Sequence, residues 1–209
     1  MSSPAPTVFV IDDELPVRKA IERVLRAAGL TVSTCASAQQ YLESYDPGTP
    51  GCVLLDLAMP GFSGLELQRV LAFRGDMPPI IFLSGHAEVQ ESVQAMKHGA
   101  VEFLTKPVDE RTLIDAVESA LERDRIDRAE RAELAEIRMR FATLTPRESQ
   151  VLGYVISGRL NKQIAAELGT VEKTIKVHRA HVMEKLRVGS LAELVQFAVR
   201  AGIPSMPAA

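Results

Sequence analysis

The stretch Cys52–Gly61, CVLLDLAMPG, decides the fold of the first half of the chain. An apolar run ends on one carboxylate, Asp56, and the turn-forming pair Pro60-Gly61 follows shortly after. A buried strand that leads directly into a turn is typical of a parallel strand leaving its sheet. Because ligands of open α/β sheets bind beyond the carboxyl ends of the strands, we expect Asp56 to lie where a reactive group is needed.

Polar side chains follow three further predicted strands in the same way. These strands and the residues after them are Thr7–Ile11 with Asp12 and Asp13, Pro79–Leu83 with Ser84, and Val101–Thr105 with Lys106. An acid after a strand is often only a helix N-cap, and for Asp13 alone that alternative stays open. Together, however, three acids, a hydroxyl and a lysine are predicted to meet at one edge of a sheet.

This set of side chains suits phosphoryl transfer. Clustered carboxylates need a hard cation such as Mg²⁺, or Mn²⁺ in its place, and a carboxylate can act as the nucleophile towards a phosphoryl group. We expect Asp13 and Asp56 to hold the metal directly, with Asp12 helping through water. Lys106 would pair with the transferred group, and Ser84 would donate a hydrogen bond to one of its oxygens.

Four segments resemble the sequence blocks of two-component receiver domains. They are VIDDE at 10–14, LDLAMPG at 55–61, LSGH at 83–86 and FLTKP at 103–107. The resemblance implies that Asp56 is the phosphoacceptor, that Ala58 lends a backbone carbonyl to Mg²⁺, and that the Lys106-Pro107 peptide is cis. It also implies that Phe103 and Ser84 form a switch, although without the family Phe103 would be read as a core phenylalanine.

The composition is that of a globular protein, and its charge is unevenly distributed. The 209 residues are 46% apolar and 24% charged, and no apolar run approaches the ~20 residues of a membrane span. With no signal peptide, Cys35 and Cys52 are expected to be reduced, so we expect a cytoplasmic protein without a membrane partner. Residues 1–140 carry 15 basic and 22 acidic side chains, whereas residues 141–209 carry 9 and 5, net +4. The basic part is where a polyanion would bind.

Strand and helix patterns alternate through the first domain. Predicted helices are Leu15–Ala28, Ala38–Ser44, a helix from Ser63-Gly64 to Phe73, one from about Glu88 to Lys97, and one from about Asp109; a second strand is Leu30–Cys35. Five strand–helix units predict an α/β fold with a doubly wound parallel five-stranded sheet, for which the resemblance implies the flavodoxin-like order. We predict a receiver domain at residues 1–123.

The segment from Glu110 to Phe141 contains no Gly and no Pro. Its charged middle, Glu122–Glu133, favours an exposed linker helix, with a flexible charged linker as the alternative. We predict the linker helix at residues 124–141. A dimeric coiled coil has little support, because the middle lacks an apolar heptad seam.

Residues 142–209 are predicted to form an all-α, four-helix domain of the helix-turn-helix class. Thr145-Pro146-Arg147-Glu148 is a capping box, Asn161 is expected to cap a short second helix, and the third helix is predicted from about Val171 to Leu186. The fourth is predicted from about Leu191 to Arg200. The third helix carries four basic residues and two histidines, while Ile175, Val182 and Leu186 can face the core. A merely solvated basic face is the alternative.

These helices resemble the DNA-binding domain of LuxR/NarL-type regulators. The resemblance implies that Lys176, Val177 and Ala180 face base edges, and that Lys162, Thr174 and His181 lie near phosphates. Two departures matter. Val171 stands where the family has a Ser or Thr N-cap, a role that Thr170 would take over, and Ala180 offers only apolar contact, for instance with a thymine methyl.

The whole chain resembles a response regulator of the FixJ/StyR kind rather than an enzyme. The resemblance implies a sensor histidine kinase that phosphorylates Asp56, a homodimer on activation, promoter DNA as target, and RNA polymerase as a further partner. The alternatives are a phosphohydrolase with an aspartate nucleophile and a receiver that only binds proteins. The first usually places a second Asp two residues after the nucleophile, where this chain has Ala58. The intact set of five polar side chains argues against the second.

Overall fold

The computed structural model describes residues 5–75, 77–85 and 89–204, and the chain forms two compact units, Met1–Arg128 and Ala129–Ala209. His86 of the LSGH block, the expected helix start at Glu88 and part of the 1–123 and 142–209 domains lie outside the described residues. No helix within the described ranges combines the length and the apolar character needed to span a membrane.

The first unit is a parallel sheet between two layers of helices. Its strands are β1 (Thr7–Ile11), β2 (Thr31–Cys35), β3 (Gly51–Asp56), β4 (Ile80–Ser84) and β5 (Glu102–Thr105). Its helices are α1 (Leu15–Ala27), α2 (Ala38–Ser44), α3 (Gly64–Arg74), α4 (Val89–Lys97) and α5 (Glu110–Ala142). All pairs are parallel in the order β2-β1-β3-β4-β5, which confirms the predicted doubly wound fold.

The central strand β3 is buried on both faces, as its continuous apolar run predicts. Val53 and Leu55 face one core layer, whereas Cys52 and Leu54 face the other. Gly51 begins the strand with φ 152°, and a Cβ there would lie 1.9 Å from the Thr7 carbonyl oxygen, so no other residue fits. This close approach fixes the start of β3 beside β1.

The helix α5 is longer than the sheet requires, and only part of it matches the exposed linker that the sequence predicts. Asp124 is 2% exposed in the first unit, and Ile137 and Phe141 are buried in the core of the second. The expectation of an exposed helix over Glu122–Glu133 is therefore wrong at Asp124, whereas Ile137 and Phe141 lie beyond that charged stretch. Ile137 and Phe141 are four residues apart, so they share one helix face and bury together.

Within residues 129–204, the second unit contains the end of α5 and four further helices, in agreement with the predicted all-α domain. These are α6 (Pro146–Ile156), α7 (Asn161–Glu167), α8 (Glu172–Leu186) and α9 (Leu191–Ala201). The capping box at Thr145 is present, with reciprocal bonds between Thr145 and Glu148.

Two predicted helix caps in this unit are wrong. Asn161 is the first residue of α7 and not its cap, since Leu160 occupies the N-cap position. Val171 and not Thr170 stands at the N-cap of α8, and its side chain makes no capping hydrogen bond. The reason is that an apolar side chain can occupy the extended N-cap backbone, although it satisfies no amide there.

Candidate functional site

The carboxyl ends of four strands meet around Asp56. Strands β3 and β4 end on Asp56 and Ser84, while Asp12 follows β1 and Lys106 follows β5. A pocket at this edge is lined by Glu14, Asp56, Leu57, Ala58, Ser84, Gly85, Glu91 and Lys106. The parallel topology thus brings together the strand-end residues that the sequence singles out.

Lys106 bridges two carboxylates at this edge. Its Nζ donates to Asp12 Oδ2 at 2.6 Å and to Asp56 Oδ1 at 2.7 Å. Both acids are largely buried, with side chains 0% and 7% exposed, so water screens the pairs weakly. The Lys106-Pro107 peptide is cis, as the resemblance implies.

Burial and pairing act on the charges in opposite directions. Desolvation raises the pKa of Asp56 above its ordinary value, and the hydrogen bond from Lys106 opposes that rise. Desolvation lowers the pKa of Lys106, but its bonds to Asp12 and Asp56 outweigh this effect and raise that pKa overall. Because the Lys106 ammonium pairs with two carboxylates, pairing outweighs burial in setting its pKa, whereas burial outweighs pairing for Asp56.

Asp12 and Asp13 differ in their surroundings. Asp12 is fully buried, and its Oδ1 also accepts a hydrogen bond from the Glu14 amide at 2.8 Å. Asp13 is exposed. Asp12 rather than Asp13 is therefore the acid that shares Lys106 with Asp56.

The donors at this edge suit a hard cation. Within the described ranges, no three His, Cys, Asp or Glu side chains lie close enough together to form a metal cluster. Asp56 and Ala58 line the pocket, and the buried Asp12 carboxylate shares Lys106 with Asp56. Carboxylate and carbonyl oxygens are nevertheless the donors that Mg²⁺ takes together with water.

Two further acids line the pocket that the sequence analysis does not single out as site residues. Glu14 directly follows Asp12-Asp13, and Glu91 lies in the first turn of α4. The position of Glu14 beside the two aspartates could have indicated it. Glu91 has no comparable sequence pattern, because only the packing of α4 places its side chain in the pocket.

Ser84 ends β4 at the pocket, and Phe103 lies on the neighbouring strand β5. Ser84 is 3% exposed at the pocket, and its backbone carbonyl accepts a hydrogen bond from the Lys106 amide at 2.7 Å. Phe103 is half-buried on β5, with its ring centroid 6.4 Å from that of Phe82.

The second candidate site is one face of α8. Lys176, Val177, Ala180 and His181 are exposed at helical neighbour spacing, while Ile175, Val182 and Leu186 are buried, as predicted. Lys162 is exposed on α7, and Thr174 is half-buried. Lys176 Nζ lies 3.2 Å from Glu172 Oε1, an exposed pair that a nucleic acid could break at little cost.

Not every cation of α8 is available to a ligand. Lys185 Nζ donates to the buried Glu148 at 2.6 Å, and Arg179 donates to Asn161 Oδ1 at 2.9 Å. These bonds tie α8 to α6 and α7, so both side chains position the helix.

Among the described acids of this unit, Glu148 has the pKa that departs most from its ordinary value. The hydrogen bond from Lys185, followed by that from the Thr145 amide at 2.8 Å, lowers the pKa of Glu148 to about 2. His181 Nδ1 lies 3.8 Å from the same carboxylate. Glu148 therefore holds the end of α8 against the start of α6.

Comparison with known families and proteins gives matches along nearly the whole chain. Residues 8–118 match the response regulator receiver domain, and residues 142–198 match the bacterial regulatory proteins of the luxR family. The chain is 43% identical to nodulation protein W of Bradyrhizobium diazoefficiens, over 94% of this chain and 86% of that protein. It is 41% identical to the transcriptional regulatory protein FixJ of Azorhizobium caulinodans, over 94% and 93%.

Two solved structures extend the similarity to the fold. The response regulator StyR matches with a TM-score of 0.85 and 45% identity, over 94% of this chain and all of that one. Full-length FixJ from B. japonicum matches with a TM-score of 0.56 and 38% identity, over 95% and 98%.

Proposed function

The chain belongs to the two-component response regulators of the FixJ family, in which a receiver domain is joined to a LuxR-type DNA-binding domain, and from that premise we propose that Asp56 accepts a phosphoryl group from a sensor histidine kinase. It is a transcriptional regulator, and the proposal adds the residue and the chemistry. The observation that carries it is the Lys106 bridge, which places an ammonium 2.7 Å from Oδ1 of a strand-end carboxylate.

In the proposed step, an Asp56 oxygen attacks phosphorus while the bond to the kinase histidine nitrogen breaks and its electrons stay on that nitrogen. Lys106 pairs with the phosphoryl oxygens, and the Ser84 hydroxyl donates a hydrogen bond to one of them. Asp12 keeps Lys106 at the pocket throughout. Mg²⁺ or Mn²⁺ held by Asp12, Asp13, Asp56 and the Ala58 carbonyl would screen the approach of the phosphoryl group to the carboxylates.

The output that we propose is binding of promoter DNA by the second unit. The exposed face of α8 supports base contacts by Lys176, Val177 and Ala180, with Lys162, Thr174 and His181 near phosphates. We assign residues 1–123 to the receiver, 124–141 to the linker and 142–209 to the DNA-binding domain. Phosphorylation raises dimerisation through Ser84 and Phe103, and RNA polymerase is the partner at the promoter.

The phosphoacceptor assignment is tested with acetyl phosphate and Mg²⁺, read by the intact mass of the protein. Wild type is expected to gain one phosphoryl group, and Asp56→Asn none. Asp115→Asn, the same change at an exposed position on α5, serves as the control and should behave as wild type. A full phosphoryl gain by Asp56→Asn would overturn the assignment.

A further inference from the structure

Asp124 and Arg128 form a connected set of hydrogen bonds where α5 leaves the sheet. Arg128 Nε donates to Asp124 Oδ2 at 2.7 Å. The other guanidinium nitrogens donate to three backbone carbonyls of the loop before β3, those of Pro47 at 3.1 Å, Gly48 at 3.2 Å and Thr49 at 2.6 Å. We call Asp124, Arg128 and loop residues 47–51 the Arg128 clamp.

The clamp also reaches the first residue of β3. Asp124 Oδ2 accepts a hydrogen bond from the Gly51 amide at 2.8 Å, and the Asp124 side chain is 3% exposed. Its Oδ1 is buried and has no hydrogen-bond partner among the described residues. A buried carboxylate is costly unless it is paired, and Arg128 is the ion-pair partner of Asp124.

Only an arginine can make this set of bonds. A guanidinium has five donors in a planar fork, and here the fork serves one carboxylate and three carbonyls at once. A neighbouring pair on the same helix shows the contrast. Arg125 and Glu122 form two short bonds, but their side chains are 69% and 55% exposed, and such exposed pairs contribute little.

The position of the clamp coincides with the weakest part of α5. From Glu122 to Glu136 the helix is charged and carries few apolar residues, and a helical stretch without apolar packing is marginal in water. The clamp lies within this stretch and joins the helix to the strand that ends at Asp56.

We propose that the Arg128 clamp is a positioning device that keeps α5 helical beyond the receiver and ties it to the start of β3. A change at Asp56 then reaches a rigid helix rather than a frayed one. The second half of this inference rests on the proposed phosphorylation of Asp56, whereas the first half does not.

The first half is tested by hydrogen exchange of the full-length protein, read on peptides that cover residues 124–136. Arg128→Ala is expected to exchange about tenfold faster there, because Asp124 loses its partner. Arg128→Lys, which keeps the positive charge but loses the planar set of guanidinium donors, should also exchange faster than wild type. Arg125→Ala is the matched control and should stay within about twofold of wild type. Unchanged exchange in Arg128→Ala and Arg128→Lys would overturn the clamp.

The second half is tested on a duplex that the wild-type protein selects from a random pool. Acetyl phosphate should phosphorylate Arg128→Lys as it does wild type, but the gain in DNA affinity should be smaller by about fivefold. If Arg128→Lys exchanged fast in residues 124–136 but gained as much DNA affinity on phosphorylation as wild type, the coupling would be overturned. If wild type itself gained no phosphoryl mass, the proposed function would fail, and the exchange comparison would still decide the clamp.

Discussion

At the scale of single residues, burial and pairing with Lys106 act against each other on the Asp56 carboxylate. Burial raises the pKa of Asp56 above the ordinary 3.8. Between pH 3.8 and that raised pKa, the folded protein therefore binds more protons than the unfolded one, and stability falls as the pH rises. The charge of Asp56 therefore lowers stability at neutral pH. Such a cost is common at functional sites, where reactivity and stability conflict.

We predict that Asp56→Asn unfolds at a higher temperature than wild type at pH 7. The difference should be small below pH 3.8 and should grow as the pH rises through the raised pKa of Asp56. Thermal unfolding followed by circular dichroism between pH 3 and 8 measures it. A variant that is less stable than wild type at pH 7 would contradict this account, and Asp115→Asn controls for the substitution itself.

Glu148 behaves in the opposite sense. Its folded pKa of about 2 lies below the ordinary 4.5, so its stabilising contribution is present above pH 4.5 and is lost as the pH falls towards 2. We predict that Glu148→Gln lowers the melting temperature at pH 7 by roughly 4–8 °C and reduces the loss of stability between pH 4.5 and 2. Glu184→Gln, at an exposed position on α8, is the control. If Glu148→Gln lost as much stability between pH 4.5 and 2 as wild type does, the stabilising role of the Glu148 carboxylate would be excluded.

The sequence predicts the strand-end residues better than their pairing. Asp12, Asp56, Ser84 and Lys106 could be placed at one edge because parallel strands share their direction. That Asp12 rather than Asp13 shares Lys106 follows from side-chain packing, which the strand pattern does not contain. Glu91 was missed for the same reason.

At the scale of elements, the start of α8 is a weak point. Val171 occupies its N-cap without a capping bond and is 65% exposed. We predict that Val171→Ser stabilises the protein by about 1 kcal/mol, because a serine hydroxyl accepts a bond from a free amide of the first turn. Urea unfolding monitored by helical circular dichroism tests this, with Val171→Ala as the control. Equal midpoints for Ser and Ala would show that the cap contributes nothing.

The face of α8 makes a separate prediction about DNA. Lys176→Ala should cost ~1–3 kcal/mol on the selected duplex and less on a scrambled one, because it loses a base contact. Lys162→Ala should weaken both duplexes alike and lower the salt slope by about one. Titrations at several salt concentrations separate the two. An equal loss on both duplexes for Lys176→Ala would assign it to a phosphate instead.

Regular elements were predictable because their patterns are local. Helix α2 has the predicted bounds, and the apolar residues of α8 face the core as their spacing indicates. The cap position at Leu160 was not predictable, since its backbone is fixed by the turn between packed helices. The buried state of Asp124 likewise depends on the loop at 47–51, which lies over seventy residues earlier in the chain.

At the scale of the whole molecule, phosphorylation is expected to change the association of the chain. We predict that acetyl phosphate with Mg²⁺ shifts the monomer–dimer equilibrium towards the dimer, because a bond from Ser84 to the phosphoryl group allows Phe103 to move inward. The expected surface lies near residues 86–111, of which 86–88 are outside the described residues. Sedimentation at several concentrations measures the constant, and Asp56→Asn should not respond. An identical constant before and after treatment of wild type would remove this mechanism.

The Lys106 bridge also bears on how the protein is made. Its bonds join residues 94 and 50 positions apart in the chain, so the pocket cannot exist until the last strand has left the ribosome and joined the sheet. A nascent chain that ends before Lys106 contains Asp56 but lacks the Lys106 ammonium that pairs with it. The complete site therefore forms only once the receiver has folded, and under the proposed function we expect a chain truncated before Lys106 to accept no phosphoryl group although it contains Asp56.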